Sequence, residues 1–340
     1  MQHLIEFAVF FGKVLILFIA IAGLIFVIAG LALRARMKPD FQVDDINEKL
    51  DEFEKHLGTV VLDKKARKAA EREQKERRKS KDETPSRKIF VLDFEGDMSA
   101  SRVKELRDEI TAVLTVAKKD DEAVICIESP GGTVHGYGLG AAQILRLKNA
   151  GLKVTACVDK MAASGGYMMA CTADKIIAAP FAIIGSIGVL AMVPNVHRLL
   201  KKYDVDYEEI AAGEYKRTVS MFGEITDKGR AKFREQLEDT HVLFKDFVIS
   251  HRPHVDVTKV ATGEYWYGVR ALELKLVDAL GTSDEYLFEQ RRSARIFGIK
   301  ILPKKKMSEK LQDLLGAIST QAVDRILNAM AANSEHPSLR

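Results

Sequence analysis

Between residues 88 and 179 the sequence switches repeatedly from short apolar runs to amphipathic stretches, and no other feature restricts the fold as strongly. The spacing predicts strands at 89–94, 124–128, 154–158 and 176–179, with helices at 102–116, 134–147 and 164–172 between them. Repeated strand-helix units imply an α/β fold, a mostly parallel sheet with helices packed against it. In such folds chemistry gathers where strands end and helices begin.

The rest of the 340 residues supports a single large domain with attached segments. An apolar fraction of 47% with 29% charged residues is a globular composition and excludes a disordered or collagenous chain. A net charge of +4 is too weak to argue for nucleic acid as a partner. Cys126, Cys157 and Cys171 sit inside apolar stretches without metal-ligand spacing, and read as small buried hydrophobes.

Residues 14–33 carry no charged or strongly polar side chain, which matches the roughly 20 residues a helix needs to cross a bilayer. Residues 1–12 contain no Lys or Arg, and the apolar run is longer than a signal peptide's, so a retained membrane anchor is the expectation. Between Lys64 and Lys88 twelve Lys or Arg and five acidic residues leave nothing to bury, which suits a solvated, helical stalk. The organisation that follows is an N-terminal segment 1–13, a transmembrane helix 14–33, a charged, helical linker 34–85, a folded domain 86–305 and a C-terminal segment 306–340. In that last segment Leu311, Leu314, Leu315, Ile318, Ala322 and Ile326 recur at helical spacing and predict an amphipathic helix over 308–330.

Two strand-to-helix turns stand out. Ser129-Pro130-Gly131-Gly132 follows a predicted strand, and paired glycines there let the backbone approach a ligand and aim its N–H groups outward, as an oxyanion hole requires. Glycine pairs after strands are also plain turns. In the second, Ala163-Ser164-Gly165-Gly166-Tyr167, a serine falls at a predicted helix N-terminus. Such a serine serves either as a helix cap or as a nucleophile whose oxyanion is held by the next N–H and the helix dipole. A serine nucleophile needs a base. Of the eight histidines His135 is closest to the first turn, with no acidic motif to orient it, so a Ser-His-Asp arrangement has no support.

The ordered set Ser129-Pro130-Gly131-Gly132, Ala163-Ser164-Gly165-Gly166-Tyr167, Gly185-Ser186-Ile187-Gly188-Val189 and Gly213-Glu214-Tyr215-Lys216 resembles the SohB/SppA family of membrane-bound Ser-Lys peptidases, over about residues 89–281. The resemblance implies a ClpP/crotonase-like fold, a spiral of β-β-α units, assembled into a homo-oligomeric ring. It implies Ser164 as nucleophile, Lys216 as general base, Gly131 and Gly165 as the oxyanion hole, and Ser186 as a hydroxyl that orients the lysine. A lysine acts as base near neutrality only when burial lowers its pKa from about 10.4, a demand that falls on the surroundings of Lys216. Where the family has a glycine after Ala-Leu-x-x, this chain has Lys275, which puts a local turn in question.

The uncharged run 176–193 is long enough to suggest a second span, but Pro180, Gly185 and Gly188 interrupt it, and a span there would put Ser164 and Lys216 on opposite sides of the membrane. The expected activity is that of a membrane-anchored serine endopeptidase acting on extended peptides or unfolded proteins, with neither metal nor nucleotide cofactor. Resemblance suggests the periplasmic face of a bacterial inner membrane, whereas Arg34, Arg36 and Lys38 after the span argue for the cytoplasm. The rival functions are a crotonase-like acyl-CoA enzyme and a non-catalytic membrane assembly protein with a relict site.

Overall fold

A computed structural model describes residues 41–69 and 87–302, together with isolated positions between 12 and 23 and at 72 and 76. The predicted span 14–33 and the predicted helix 308–330 lie outside the described residues, apart from positions 15, 16, 18, 19, 22 and 23, which are helical. No helix among the described residues is long and apolar enough to cross a membrane.

Residues 42–301 form one compact unit. Its centre is a seven-stranded sheet of β1 (Phe41–Asp45), β2 (Lys88–Glu95), β3 (Glu122–Glu128), β4 (Lys153–Val158), β6 (Lys175–Ala178), β9 (Ala279–Leu280) and β10 (Arg295–Ile301), in the order β1-β10-β2-β3-β4-β6-β9. The pairs from β10 through β9 are parallel. Helices α2 (Val103–Val116) and α3 (Val134–Asn149) make the crossovers that parallel neighbours need.

Alternation along β2 shows why the sheet is covered on both faces. Phe90, Leu92 and Phe94 point to the larger core with Leu106 and Ile110 of α2 and Ile144 and Leu147 of α3, whereas Ile89 and Val91 point to a smaller core with Val124, Ile177 and Leu287. Each such side chain, fully buried, contributes about 1.5–3 kcal/mol. Cys157 and Cys171 are buried and Cys126 partly so.

The smaller core corrects the expected linker. Residues assigned to it from sequence form β1 and α1 (Ile46–Val61), and Asn47 of α1 is buried. Its amide donates to Arg291 O and Ala294 O at 3.0 and 3.2 Å, and its Oδ1 accepts from Ile296 N–H at 2.7 Å. The folded unit therefore begins well before residue 86.

A second, three-stranded sheet carries the turns at Ser164 and Ser186. It consists of β5 (Met161–Ala163), β7 (Ile183–Gly185) and β8 (Tyr265–Tyr267), with β5 and β7 parallel. The run 176–193 is thus divided between two strands and irregular backbone, not a membrane helix.

Lys275 occupies the turn that its glycine-containing counterpart would close. After α8 (Gly268–Glu273) its φ is +61°, Leu276 N–H donates to Ala271 O at 2.8 Å and Lys275 N–H to Leu272 O at 3.0 Å, which is a Schellman cap with the wrong residue in the left-handed position. Lys275→Gly is expected to stabilise the chain by about 1 kcal/mol, read from the urea midpoint.

Three residues further on, Asp278 anchors the end of the same segment. Its carboxylate accepts from both terminal nitrogens of the buried Arg252, at 2.7 and 2.9 Å, and from Ile176 N–H at 2.7 Å. Burial raises the Asp278 pKa, but the Arg252 and Ile176 hydrogen bonds and the arginine charge outweigh it and hold the carboxyl below its ordinary value. A depressed folded-state pKa gives stability that is present above the unfolded value of about 3.9 and lost as pH falls through the folded one. Asp278→Ala leaves a buried guanidinium unpaired and should cost about 3 kcal/mol at neutral pH, a deficit that narrows below about pH 4. Chemical denaturation at both pH values checks it.

Candidate active site

Three strand ends converge on one edge. Ser129 N–H donates to Met161 O at 2.8 Å and Ala163 N–H to Ser129 O at 3.0 Å, so the first glycine turn runs parallel to β5. On the other side of β5, Ala163 pairs with Gly185, and Ser164 N–H donates to Gly185 O at 2.7 Å. Gly131, Ser164 and Ser186 consequently leave their segments side by side.

All three have positive φ: +87° at Gly131 and +51° at both serines. For a non-glycine residue that conformation costs on the order of 1–3 kcal/mol, and such strain concentrates at functional sites. Ser164 ends β5 and begins α4 (Gly165–Ala170), whose six residues are all buried. The turn is tight enough to require glycines. A Cβ on Gly131 would lie 2.7 Å from Ser164 Cβ and 2.9 Å from Gly165 N, and a Cβ on Gly165 would lie 2.3 Å from Tyr137 Cγ.

The half-buried Ser164 side chain takes part in no hydrogen bond with a described residue, and the Gly165 N–H, first in its helix, has no acceptor there. The Gly131 N–H is held by Ser129 Oγ at 3.1 Å. A free hydroxyl beside an open amide is an arrangement that can attack a carbonyl and stabilise the resulting oxyanion. Ser186 N–H donates to Glu264 O at 2.8 Å, and its hydroxyl donates to Gly263 O at 3.4 Å.

Lys216 is not brought to Ser164 by any hydrogen bond. It is exposed, in a turn closed by its N–H to Gly213 O at 3.1 Å. Arg217 beside it is paired with Glu209 at 2.8 Å, so the cation that could favour a neutral neighbouring amine is offset by a carboxylate. Glu214 is paired with Lys228, and each holds the other ionised, with the Glu214 pKa lowered and the Lys228 pKa raised. The surrounding stretch, irregular except for α5 (His197–Lys202), exposes Leu190, Met192 and Ile210 at 76, 81 and 89%.

Rival nucleophiles and bases have less in their favour. Burial pushes the Cys157 and Cys171 thiols up to about 12, far from a thiolate at neutral pH. His135 is exposed, His197 Nδ1 and His251 Nδ1 bond to backbone carbonyls, and no histidine among the described residues bonds Ser164. What sequence reasoning missed is the pair Ser129 and Tyr137, whose side chains are joined at 2.6 Å beneath the turn. Tyr137 is buried in α3, and nothing in the helical spacing signals where its hydroxyl points.

Residues 146–296 match peptidase family S49, and residues 2–144 match its N-terminal part. The chain belongs to peptidase family S49. Among S49 relatives, the probable protease SohB of Haemophilus influenzae is 55% identical over 222 residues, which are 65% of this chain and 63% of that one. The probable protease SohB of Buchnera aphidicola subsp. Schlechtendalia chinensis is 41% identical over 308 residues, covering 85% of this chain and 100% of its own. Protease 4 of Haemophilus influenzae is 30% identical over 206 residues, 58% of this chain and 33% of that S49 relative. The chain thus spans just under two thirds of the first of these relatives and the whole of the second.

Proposed function

We propose that the chain is a membrane-anchored serine endopeptidase that cleaves extended peptides through an acyl-enzyme. The observation that carries the reading is the convergence of Gly131, Ser164 and Ser186 at one edge with the Gly165 N–H open beside Ser164 Oγ. Ser164 Oγ attacks the scissile carbonyl as its proton passes to the neutral amine of Lys216. Gly165 N–H donates to the developing oxyanion at once, and Gly131 N–H, still held by Ser129 Oγ, donates a second, bifurcated bond to it, the charged acceptor binding about twice as strongly as the neutral hydroxyl. The tetrahedral intermediate collapses, the Lys216 ammonium returns its proton to the leaving amine, and Lys216 then activates water against the acyl-enzyme.

Lys216 can serve as base only if its surroundings exclude water. In the single chain it is exposed within a segment rich in exposed apolar side chains, so we assign its burial to a neighbouring copy in a homo-oligomeric ring or to bound substrate. The apolar run 14–33 supplies the anchor, in the inner membrane of a bacterium with the catalytic unit on the periplasmic side. Fluorescence from a green fluorescent protein fused after Arg340 would overturn that side.

The test is digestion of casein by the detergent-purified full chain. New peptide N-termini are expected without added metal or nucleotide. Turnover of an acyl-CoA without proteolysis would overturn the reading in favour of crotonase chemistry.

A further inference from the structure

Beneath the glycine turn lies a hydrogen-bond chain that the dyad mechanism does not use. Tyr137 and Ser129 are both fully buried. The Tyr137 hydroxyl donates to Asp97 O at 2.8 Å. Its single proton is therefore committed, and the 2.6 Å contact with Ser129 Oγ has Ser129 as donor and Tyr137 as acceptor. Ser129 Oγ in turn accepts from Gly131 N–H at 3.1 Å. The direction is fixed throughout: Gly131 N–H to Ser129, Ser129 O–H to Tyr137, Tyr137 O–H to Asp97 carbonyl. Burial pushes the Tyr137 pKa above its ordinary value, so the hydroxyl keeps its proton.

The same tyrosine touches the other half of the site. Its ring fills the space against Gly165, where an added Cβ would come within 2.3 Å of Cγ, and stands edge-on to Phe94 with ring centres 6.1 Å apart. Ser129 also lies against Gly166, whose added Cβ would meet Ser129 O at 2.9 Å. Gly96 closes the pocket around the two hydroxyls, since a Cβ there would lie 2.4 Å from each oxygen.

We propose that Tyr137 and Ser129 are positioning residues of the oxyanion hole, the hydroxyl chain fixing the Gly131 peptide and the Tyr137 ring fixing the Gly165 peptide. The inference rests on the reading of Ser164 as nucleophile. Oxyanion donors act through preorganisation and must be held to about 0.5 Å, which a glycine-rich turn cannot do unaided. Tyr137 touches Gly165 directly and reaches the Gly131 peptide through Ser129 Oγ. Ser129 keeps the buried Gly131 amide satisfied in a single orientation, and without it the peptide is free to rotate.

The experiment compares the detergent-purified full chain with Tyr137→Phe, Ser129→Ala and the double variant. Two rates are read: casein hydrolysis, as kcat and KM, and labelling by an alkyl fluorophosphonate, a small probe that loads the oxyanion hole without using the peptide-binding surface. Both kcat and the labelling rate should fall by the same factor, about 10- to 100-fold, with KM unchanged within about twofold. Because the chain is broken once, the double variant should lose no more than the worse single variant. Thermal unfolding confirms that each protein is folded, and either single variant suffices if the other fails to fold. A wild-type chain that neither labels nor cleaves removes the underlying reading of Ser164. A wild type that does both, beside folded variants with unchanged or faster rates, or with a loss confined to KM, overturns the positioning role alone.

Discussion

Ser164→Ala and Lys216→Ala should each abolish casein hydrolysis, by about 10³-fold or more, and the double variant should be no worse than either. The non-additivity is the diagnostic part. Nucleophile and base act in one step, so removing the second partner takes nothing further away. Neither change should unfold the chain. Ser164 Oγ has no hydrogen-bond partner among the described residues, alanine meets the same positive-φ penalty as serine, and Lys216 is exposed in a surface turn. A Lys216→Ala variant of wild-type activity would return attention to a base elsewhere in the assembled enzyme.

Gly131→Ala is the second large effect. At φ +87° an alanine is strained by about 1–2 kcal/mol wherever it sits. Here the added Cβ would also stand 2.7 Å from Ser164 Cβ and 2.8 Å from Ala163 O, backbone and β-carbon that cannot swing away. The expected outcome is a folded but destabilised chain whose kcat falls by about 100-fold or more, because the nucleophile and the Gly165 amide are pushed apart. Gly138, inside α3, provides the contrast, since a Cβ there meets nothing within 4 Å. Gly138→Ala should leave kcat unchanged and raise stability by about 0.5–1 kcal/mol. Steady-state kinetics beside a urea titration separate the two cases.

The comparison of these glycines shows how much of the site was legible in the sequence. The parallel sheet was, because β2, β3, β4 and β6 read as apolar runs of four to eight residues bounded by helical periodicity. The turns holding Gly131, Ser164 and Ser186 were recognised by their residue types and order, and the structure gives the reason those types recur: three parallel segments end on one edge, each in a left-handed turn. The second sheet was not legible. Strands of three residues, such as β5, β7 and β8, are too short to show a period. Nor was the packing of α1, for a charged, helical linker accounts for a helix at 46–61 but not for the buried Asn47 that ties it to β10. The hydroxyl chain through Ser129 and Tyr137 was hidden for a different reason. Direction and partner of a side chain depend on the crossing of α3 with the glycine turn, and sequence spacing does not encode that crossing. Lys216 marks the opposite limit, for its place in the motif is plain in the sequence while the burial it requires is absent from the single chain.

The most direct test of the central claim is to treat the detergent-purified chain with an alkyl fluorophosphonate and locate the adduct by peptide mass spectrometry, in wild type and in Lys216→Ala. The account predicts one adduct, on Ser164, formed in wild type and slowed by about 10³-fold without the lysine. An adduct on any other residue, or one on Ser164 that forms at the same rate without Lys216, would contradict it.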